Sequence, residues 1–280
     1  VPLSEMVTAF GTFANNGKRP ELNGILRVEN SNGDVLEEWH KTEFEEVLNP
    51  EIAYLINSIL SDQANSVGPR LFVSGQINAA KTGTSTKENK NDAGGASVRP
   101  SDAWTIGYTP TIVTGVWTGN TDGSGLGYNA NGYDVAGPIF NAVMTKALAD
   151  RAPEPFPEPE GIKHVQISSA SGKLPSANTP PEYIKSEIFP SFSVPKETEK
   201  LFTEVEIDKI SGLLATEFTP ESAKETVTYQ NFAPIADMFN WAAEIRSYYS
   251  GKEETKNGII VGIPPTEYDN VHTATSALDA

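Results

Sequence analysis

Lys81 stands in the stretch Ala79-Ala80-Lys81-Thr82-Gly83-Thr84-Ser85. One cation among three hydroxyls suits an anionic ligand. The amine supplies charge, the hydroxyls and free backbone N–H groups supply donors, and the small residues Ala79, Ala80 and Gly83 leave the backbone open to approach. Three readings compete. An ordinary strand lysine would only solvate a surface. A phosphate-gripping lysine would close a loop from Gly75 to Thr82 that nearly fits Gly-x-x-x-x-Gly-Lys-Thr. Ala80, however, replaces the second glycine, and no helical pattern follows Thr82 to offer its N-terminus. A catalytic-site cation on a strand edge would face a cleft.

The elements that must position Lys81 follow from pattern. Leu3, Met6, Val7, Phe10, Phe13 and Ala14 recur at helical spacing, with Pro2 suited to the first turn and Asn15-Asn16-Gly17 to the end. Residues 25–39 read as a hairpin turning at Asn32-Gly33. Asn49-Pro50-Glu51 opens a helix whose apolar face is Ile52, Leu55, Ile56, Ile59 and Leu60. Gly75 to Thr84 reads as a strand, and the polar, Gly-rich run up to Ser101 as a mobile loop, either a lid over a cleft or a surface insertion. Residues 102–120 read as two strands joined at Thr109-Pro110, with Trp104 and Trp117 as core aromatics and Asp102 and Asp122 as structural acids. A helix with Ile139, Phe140, Val143, Met144, Ala147 and Leu148 apolar closes the unit.

Proline then concentrates, and residues 151–164 read as a stiff linker. Beyond it, the segment from Val165 repeats from Val205 at a period of 40 residues: Ile167/Ile207, Gly172/Gly212, Leu174/Leu214, Thr179/Thr219 and Pro180/Pro220 match. Two β-rich repeats over 165–235 are expected to pack on each other or on the main body. A helix around Met238, Trp241, Ala242, Ile245 and Tyr249, then a loose tail, would fill 236–280.

Composition excludes several classes. The net charge is −16, and both halves are acidic, which disfavours nucleic acid and anionic membrane surfaces. There is no cysteine for a disulfide framework or thiolate chemistry. His40, His164 and His272 are too scattered for paired ligand spacing, so no metal and no cofactor are expected. The run Gly119–Gly125 does not fit a calcium loop. There is no apolar run long enough to span a bilayer and no signal peptide. The chain opens with Val1 directly into a helix, as the later piece of a longer protein would, any anchor lying in the missing part.

"KTGTS" at Lys81–Ser85, followed by "DAWTIGYTP", "VTGVWTGN" and a helix, resembles the end of the transpeptidase domain of class A penicillin-binding proteins; "VPLSEMVTAFGTFANNGKRPEL" resembles the helix before it. The resemblance covers residues 1–150 well and 151–280 loosely. It implies an α+β fold, the later half of a penicillin-binding-protein/β-lactamase-like domain with an antiparallel sheet flanked by helices, followed by small β-rich repeats. It implies acyl transfer through a serine that attacks a D-Ala-D-Ala stem peptide of peptidoglycan, with β-lactams as inhibitors. Lys81 would hold the terminal carboxylate and tune proton transfer, Thr82, Thr84 and Ser85 would supply hydroxyls, Gly83 would admit the substrate backbone, and the Thr84 N–H would stabilise the oxyanion. An upstream glycosyltransferase domain and a site on the outer face of the bacterial cytoplasmic membrane are implied as well. The repeats could take a cell-wall or protein partner.

The family's two earlier signatures are missing in their proper order. Ser193-Val194-Pro195-Lys196 and Ser176-Ala177-Asn178 match Ser-x-x-Lys and Ser-x-Asn, but both follow Lys81, and Pro195 would break the helix a nucleophile needs. No nucleophile is therefore assigned to this chain, and the chain alone is expected to be inactive. The rivals are a carboxypeptidase or β-lactamase of the same fold and a non-catalytic wall-binding scaffold on a decayed domain.

Overall fold

The computed structural model describes residues 1–40, 44–89, 97–231, 244, 247 and 254–273. The chain divides into two units, Val1–Ile162 and Lys163–Ala280. In the first, helix α1 (Leu3–Ala14) starts after Pro2 and ends where Asn16 and Gly17 take positive φ. A short hairpin follows, β1 (Arg27–Glu29) and β2 (Val35–Glu38), its turn held by Asn30 Oδ1, which accepts from the N–H groups of Asn32 and Asp34. Helix α2 (Pro50–Ser61) is capped by Asn49, whose side chain accepts from the Glu51 N–H, with Pro50 in the first turn where no N–H is needed.

Three antiparallel strands carry the centre of the unit: β3 (Ala79–Asn89), β4 (Ser97–Tyr108) and β5 (Val113–Gly119), in that spatial order. Side chains alternate between the two faces. One face presents Lys81, Gly83 and Ser85 beside Ile106, Trp104 and Asp102, their register partners, and is packed by α1 and α2. The opposite face presents Ala80, Thr82 and Thr84 beside Gly107, Thr105 and Ala103. It meets a π-helical turn, Gly132–Ala136, and helix α3, Gly137–Ala147. Each face has its own core. Ala14, Ala79, Tyr108 and Phe156 pack on the first, and Leu71, Ala80, Val116, Phe140 and Met144 on the second.

A buried polar chain locks the first face. The Tyr108 hydroxyl donates to Asn57 Oδ1 at 2.8 Å, and Asn57 Nδ2 donates to the Phe13 carbonyl at 3.0 Å. Burial pushes the Tyr108 phenol far above its ordinary pKa, so it remains a neutral donor. Tyr108→Phe leaves the fully buried Asn57 oxygen without its donor. The expected loss is about 1–3 kcal/mol, read as a lower urea midpoint.

Several elements differ from the sequence expectation. The strand holding Lys81 starts at Ala79, not Gly75, because the buried Asn78 side chain clasps the preceding turn, accepting from the Val73 N–H and donating to the Leu71 carbonyl. It also runs on to Asn89. What reads as a mobile loop is, outside residues 90–96, a two-stranded arm with Thr86, Lys87 and Glu88 opposite Pro100, Arg99 and Val98. A bulge lies at its base, where the register slips between Ser85 and Thr86, and it accommodates a proline inside a paired strand. The proline-rich segment is not a free spacer. Phe156 packs edge-on to Tyr108 at 5.6 Å, and the Tyr54 hydroxyl donates to Glu158.

The second unit holds two hairpins of identical register. Strand β6 (Lys163–Ser168) pairs β7 (Ile184–Phe189) with Val165 opposite Glu187; β8 (Phe202–Asp208) pairs β9 (Lys224–Gln230) with Val205 opposite Val227. Gly172 and Gly212 take matching positive φ values of 71° and 69°. In each hairpin the threonine of the Thr-Pro step, Thr179 or Thr219, caps a turn by accepting from the N–H of Ser176 or Thr216. Leu174 and Leu214 each pair with a later segment, around Thr198 and around Tyr268. The second copy reaches its segment only after β10 (Glu254–Lys256) and β11 (Ile259–Val261), which join the β8–β9 sheet. Part of what reads as a loose tail is therefore sheet. The apolar residues of the helix expected between Met238 and Tyr249 lie outside the described residues. No described helix is long and apolar enough to cross a membrane.

Candidate functional site

Strand β3 is an edge strand, so the backbone groups that do not face β4 are open on its outer side. Beside it runs an open groove of about 720 Å³, walled by Lys81, Gly83, Ser85, Trp104 and Trp117 from the sheet and by Met6 from α1. Lys81 is exposed, and its amine donates to the Thr82 carbonyl at 2.7 Å. It makes no ion pair among the described residues, so its charge is available to an incoming anion. Asp102, the acid in the same groove, is committed elsewhere: it accepts from Trp117 Nε1 at 3.0 Å and from the Ser101 hydroxyl at 2.8 Å.

The expected site residues divide between the two faces. Lys81, Gly83 and Ser85 face α1, whereas Thr82 and Thr84 lie on the other side of the strand, all five along the groove. The Thr84 hydroxyl accepts from the Gly132 N–H at 3.1 Å, which leaves its own hydrogen free to donate. Trp104 and Trp117 are not core aromatics. Trp117 is 36% exposed, and the pair, with ring centroids 6.4 Å apart, forms the groove wall. Asp122 is a turn cap. Hydrogen bonds from Ser124, its backbone N–H foremost, hold its carboxyl below the usual range.

Gly132 was not legible as a site residue, although it ties the second face to the lysine strand. Its N–H serves Thr84 and its carbonyl accepts from the buried Thr105 hydroxyl at 2.9 Å. A larger groove of about 940 Å³, lined by Glu5, Thr8, Arg19 and Trp39, holds none of the residues from Lys81 to Ser85.

The two misplaced motifs have local roles in the second unit. Ser193 ends a 3₁₀ turn, Ser191–Ser193, and its N–H donates to the Pro190 carbonyl. The Ser176 hydroxyl lies 3.1 Å from that of Thr179 and accepts from the Asn178 N–H. Neither serine begins an α-helix.

An antiparallel sheet with helices on both faces, and a Lys-Thr-Gly edge strand lining a groove, define an α+β domain. The chain belongs to the penicillin-binding protein transpeptidase domain family, whose model matches residues 2–145. Penicillin-binding protein 1A of Rickettsia conorii is 30% identical over 197 residues, 65% of this chain and 25% of that protein. Penicillin-binding protein 1A of Clostridium novyi is 26% identical over 232 residues, 80% of this chain and 25% of that protein. The chain thus spans about a quarter of the length of these curated relatives. The crystal structure of penicillin-binding protein 1A from Haemophilus influenzae shares the fold, with a TM-score of 0.57 at 21% identity, covering 71% of this chain and 33% of that one.

Proposed function

We propose that residues 1–150 form the Lys-Thr-Gly wall of a serine D,D-transpeptidase that cross-links peptidoglycan. The nucleophilic serine and its Ser-x-Asn partner would be supplied by chain preceding Val1. The observation that carries this reading is a lysine that makes no ion pair among the described residues and stands on a sheet edge, within a segment that matches the transpeptidase family. A glycosyltransferase domain and a membrane anchor upstream would place the work on the outer face of the cytoplasmic membrane. Residues 165–235 are proposed as paired β repeats able to take a cell-wall or protein partner.

The chemistry assigned to this wall is electrostatic and positional. The upstream serine oxygen attacks the carbonyl of the D-Ala–D-Ala bond. The C–N bond breaks, the terminal D-Ala leaves as its amine with a proton, and an ester to the serine remains. An amine of a second stem then attacks the ester and restores the hydroxyl. Lys81 holds the terminal carboxylate, with Thr82 and Thr84 donating their hydroxyls. The Thr84 N–H serves as one of two oxyanion donors, and a donor of this kind is worth about 3 kcal/mol of transition-state stabilisation.

Gly83 offers a test that separates fold from function. A Cβ there would meet only the Trp104 Cβ, at 3.5 Å, an ordinary contact. Gly83→Ala is expected to change the stability of the 280-residue chain by no more than about 0.5 kcal/mol. In a chain extended upstream through the nucleophile, the same methyl narrows the edge, and penicillin acylation falls at least about tenfold, roughly 1.4 kcal/mol of barrier. Unchanged acylation would remove Gly83 from the site. An upstream coding sequence without Ser-x-x-Lys would replace the enzyme with a non-catalytic scaffold.

A further inference from the structure

The second unit brings together three side chains that sequence spacing does not connect. Asp208 ends β8, and Asp269 and His272 lie on the returning segment that pairs with Leu214. His272 Nδ1 stands 3.0 Å from Asp269 Oδ2 and 3.2 Å from Asp208 Oδ2, and the three atoms all lie within 4.8 Å of one another. Both carboxylates are fully buried and the imidazole is 21% exposed.

The hydrogen-bond count does not close. Asp208 Oδ1 accepts from the N–H groups of Ile210 and Ser211. Asp269 Oδ1 accepts from the Val271 N–H, and its Oδ2 from the Thr219 hydroxyl and, at 3.3 Å, the His272 N–H. Nδ1 of a neutral imidazole has one proton at most for the two oxygens that face it. The nearer contact is a hydrogen bond to Asp269, and Asp208 Oδ2 is left buried without a hydrogen-bond partner, aimed into the cluster. A buried carboxylate oxygen in that state is costly unless a cation meets it.

The other hairpin provides an internal comparison. Ser168 matches Asp208 at the strand end, and Glu199 matches Asp269, each donating its N–H to the equivalent leucine carbonyl. Three residues further on, Phe202 stands where the second copy has His272. The same backbone pattern therefore occurs once with a single carboxylate and once with two carboxylates and an imidazole.

We propose that Asp208, Asp269 and His272 form a three-donor site for a divalent transition-metal ion of the zinc type, clipping the returning segment to the end of β8. Tetrahedral donors about 2.0–2.2 Å from a metal lie roughly 3.3–3.6 Å apart. The two Nδ1–oxygen separations, 3.0 and 3.2 Å, lie just below that range, and the two carboxylate oxygens are within 4.8 Å of each other. One nitrogen and two hard oxygens suit zinc, and two buried negative charges suit a dication. The metal takes the place of the Nδ1 proton, which is released, and solvent reaches the fourth position past the partly exposed imidazole.

The test uses the untagged 280-residue chain, stripped with EDTA and titrated with zinc ion against a chromophoric chelator. One equivalent is expected to bind with Kd below about 10 μM. Asp208→Ser and His272→Phe place the first hairpin's own residues on the matching backbone. Each is expected to weaken binding at least about 100-fold while His40→Ala leaves it intact. Zinc X-ray absorption of the wild-type complex should show only nitrogen and oxygen ligands near 2.0 Å, with imidazole scattering. No stoichiometric binding, binding unchanged in His272→Phe, or a spectrum without an imidazole ligand overturns the proposal.

Discussion

Lys81→Ala, made in a chain extended upstream through the nucleophile, is expected to lower the rate constant for penicillin acylation by about 10²–10³-fold. A unit charge pair at about 4 Å is worth up to ~4 kcal/mol at an effective dielectric near 20. The groove is open to solvent, which argues for the lower part of that range. Asp102 forms no ion pair with Lys81 among the described residues; its two oxygens are oriented by hydrogen bonds from Trp117 Nε1 and the Ser101 hydroxyl. The loss should appear with little change in melting temperature, since among the described residues the amine's one hydrogen bond is to the neighbouring Thr82 carbonyl. A variant that melts like wild type but acylates slowly supports the assignment. A variant that acylates normally returns Lys81 to the status of an ordinary strand lysine.

Gly132→Ala is expected to destabilise the fold strongly. A Cβ at that position would lie 2.3 Å from the Trp104 carbonyl oxygen and 2.6 Å from the Gly83 carbonyl oxygen. Both obstacles are backbone, so no rotamer relieves the clash. The turn must move off the sheet, which breaks the Gly132 N–H bond to Thr84 and leaves the buried Thr105 hydroxyl without its acceptor. Overpacking of this kind together with a lost buried hydrogen bond costs about 3 kcal/mol or more. Urea unfolding should show a midpoint well below wild type, and acylation by the extended chain should fall with it. Gly83→Ala, one position across the same contact, should lower acylation without the shift in urea midpoint.

The Lys-Thr-Gly strand was legible because its chemistry is written in consecutive residues, and the helices were legible where periodicity met a cap, as at Asn49-Pro50. Periodicity does not say which stripe of a helix turns inward. In α2 the buried residues are Ala53 and Asn57, while Ile59, expected on the packed face, is 69% exposed. Asn57 is inside because Tyr108 and Phe13 satisfy it, a pairing across elements that no local pattern signals. Phe156 gave a faint signal, a lone aromatic among prolines, and it is the residue that fastens the segment to the sheet. The length of β3 was missed because its outer half is polar and pairs only with an equally polar strand. Gly132 and the Asp208–Asp269–His272 cluster depend on contacts between segments far apart in the chain. The cluster is further hidden by the strands inserted between Leu214 and its partner segment.

In the proposed function this chain carries one wall of an acyl-transfer site and not its nucleophile. Intact-mass spectrometry after incubation with penicillin tests that directly, on the 280-residue chain and on the chain extended upstream. The predicted result is no mass gain on the first and a single penicilloyl adduct on the second, located on a serine before Val1. An adduct on any serine of the 280-residue chain, Ser193 included, contradicts it.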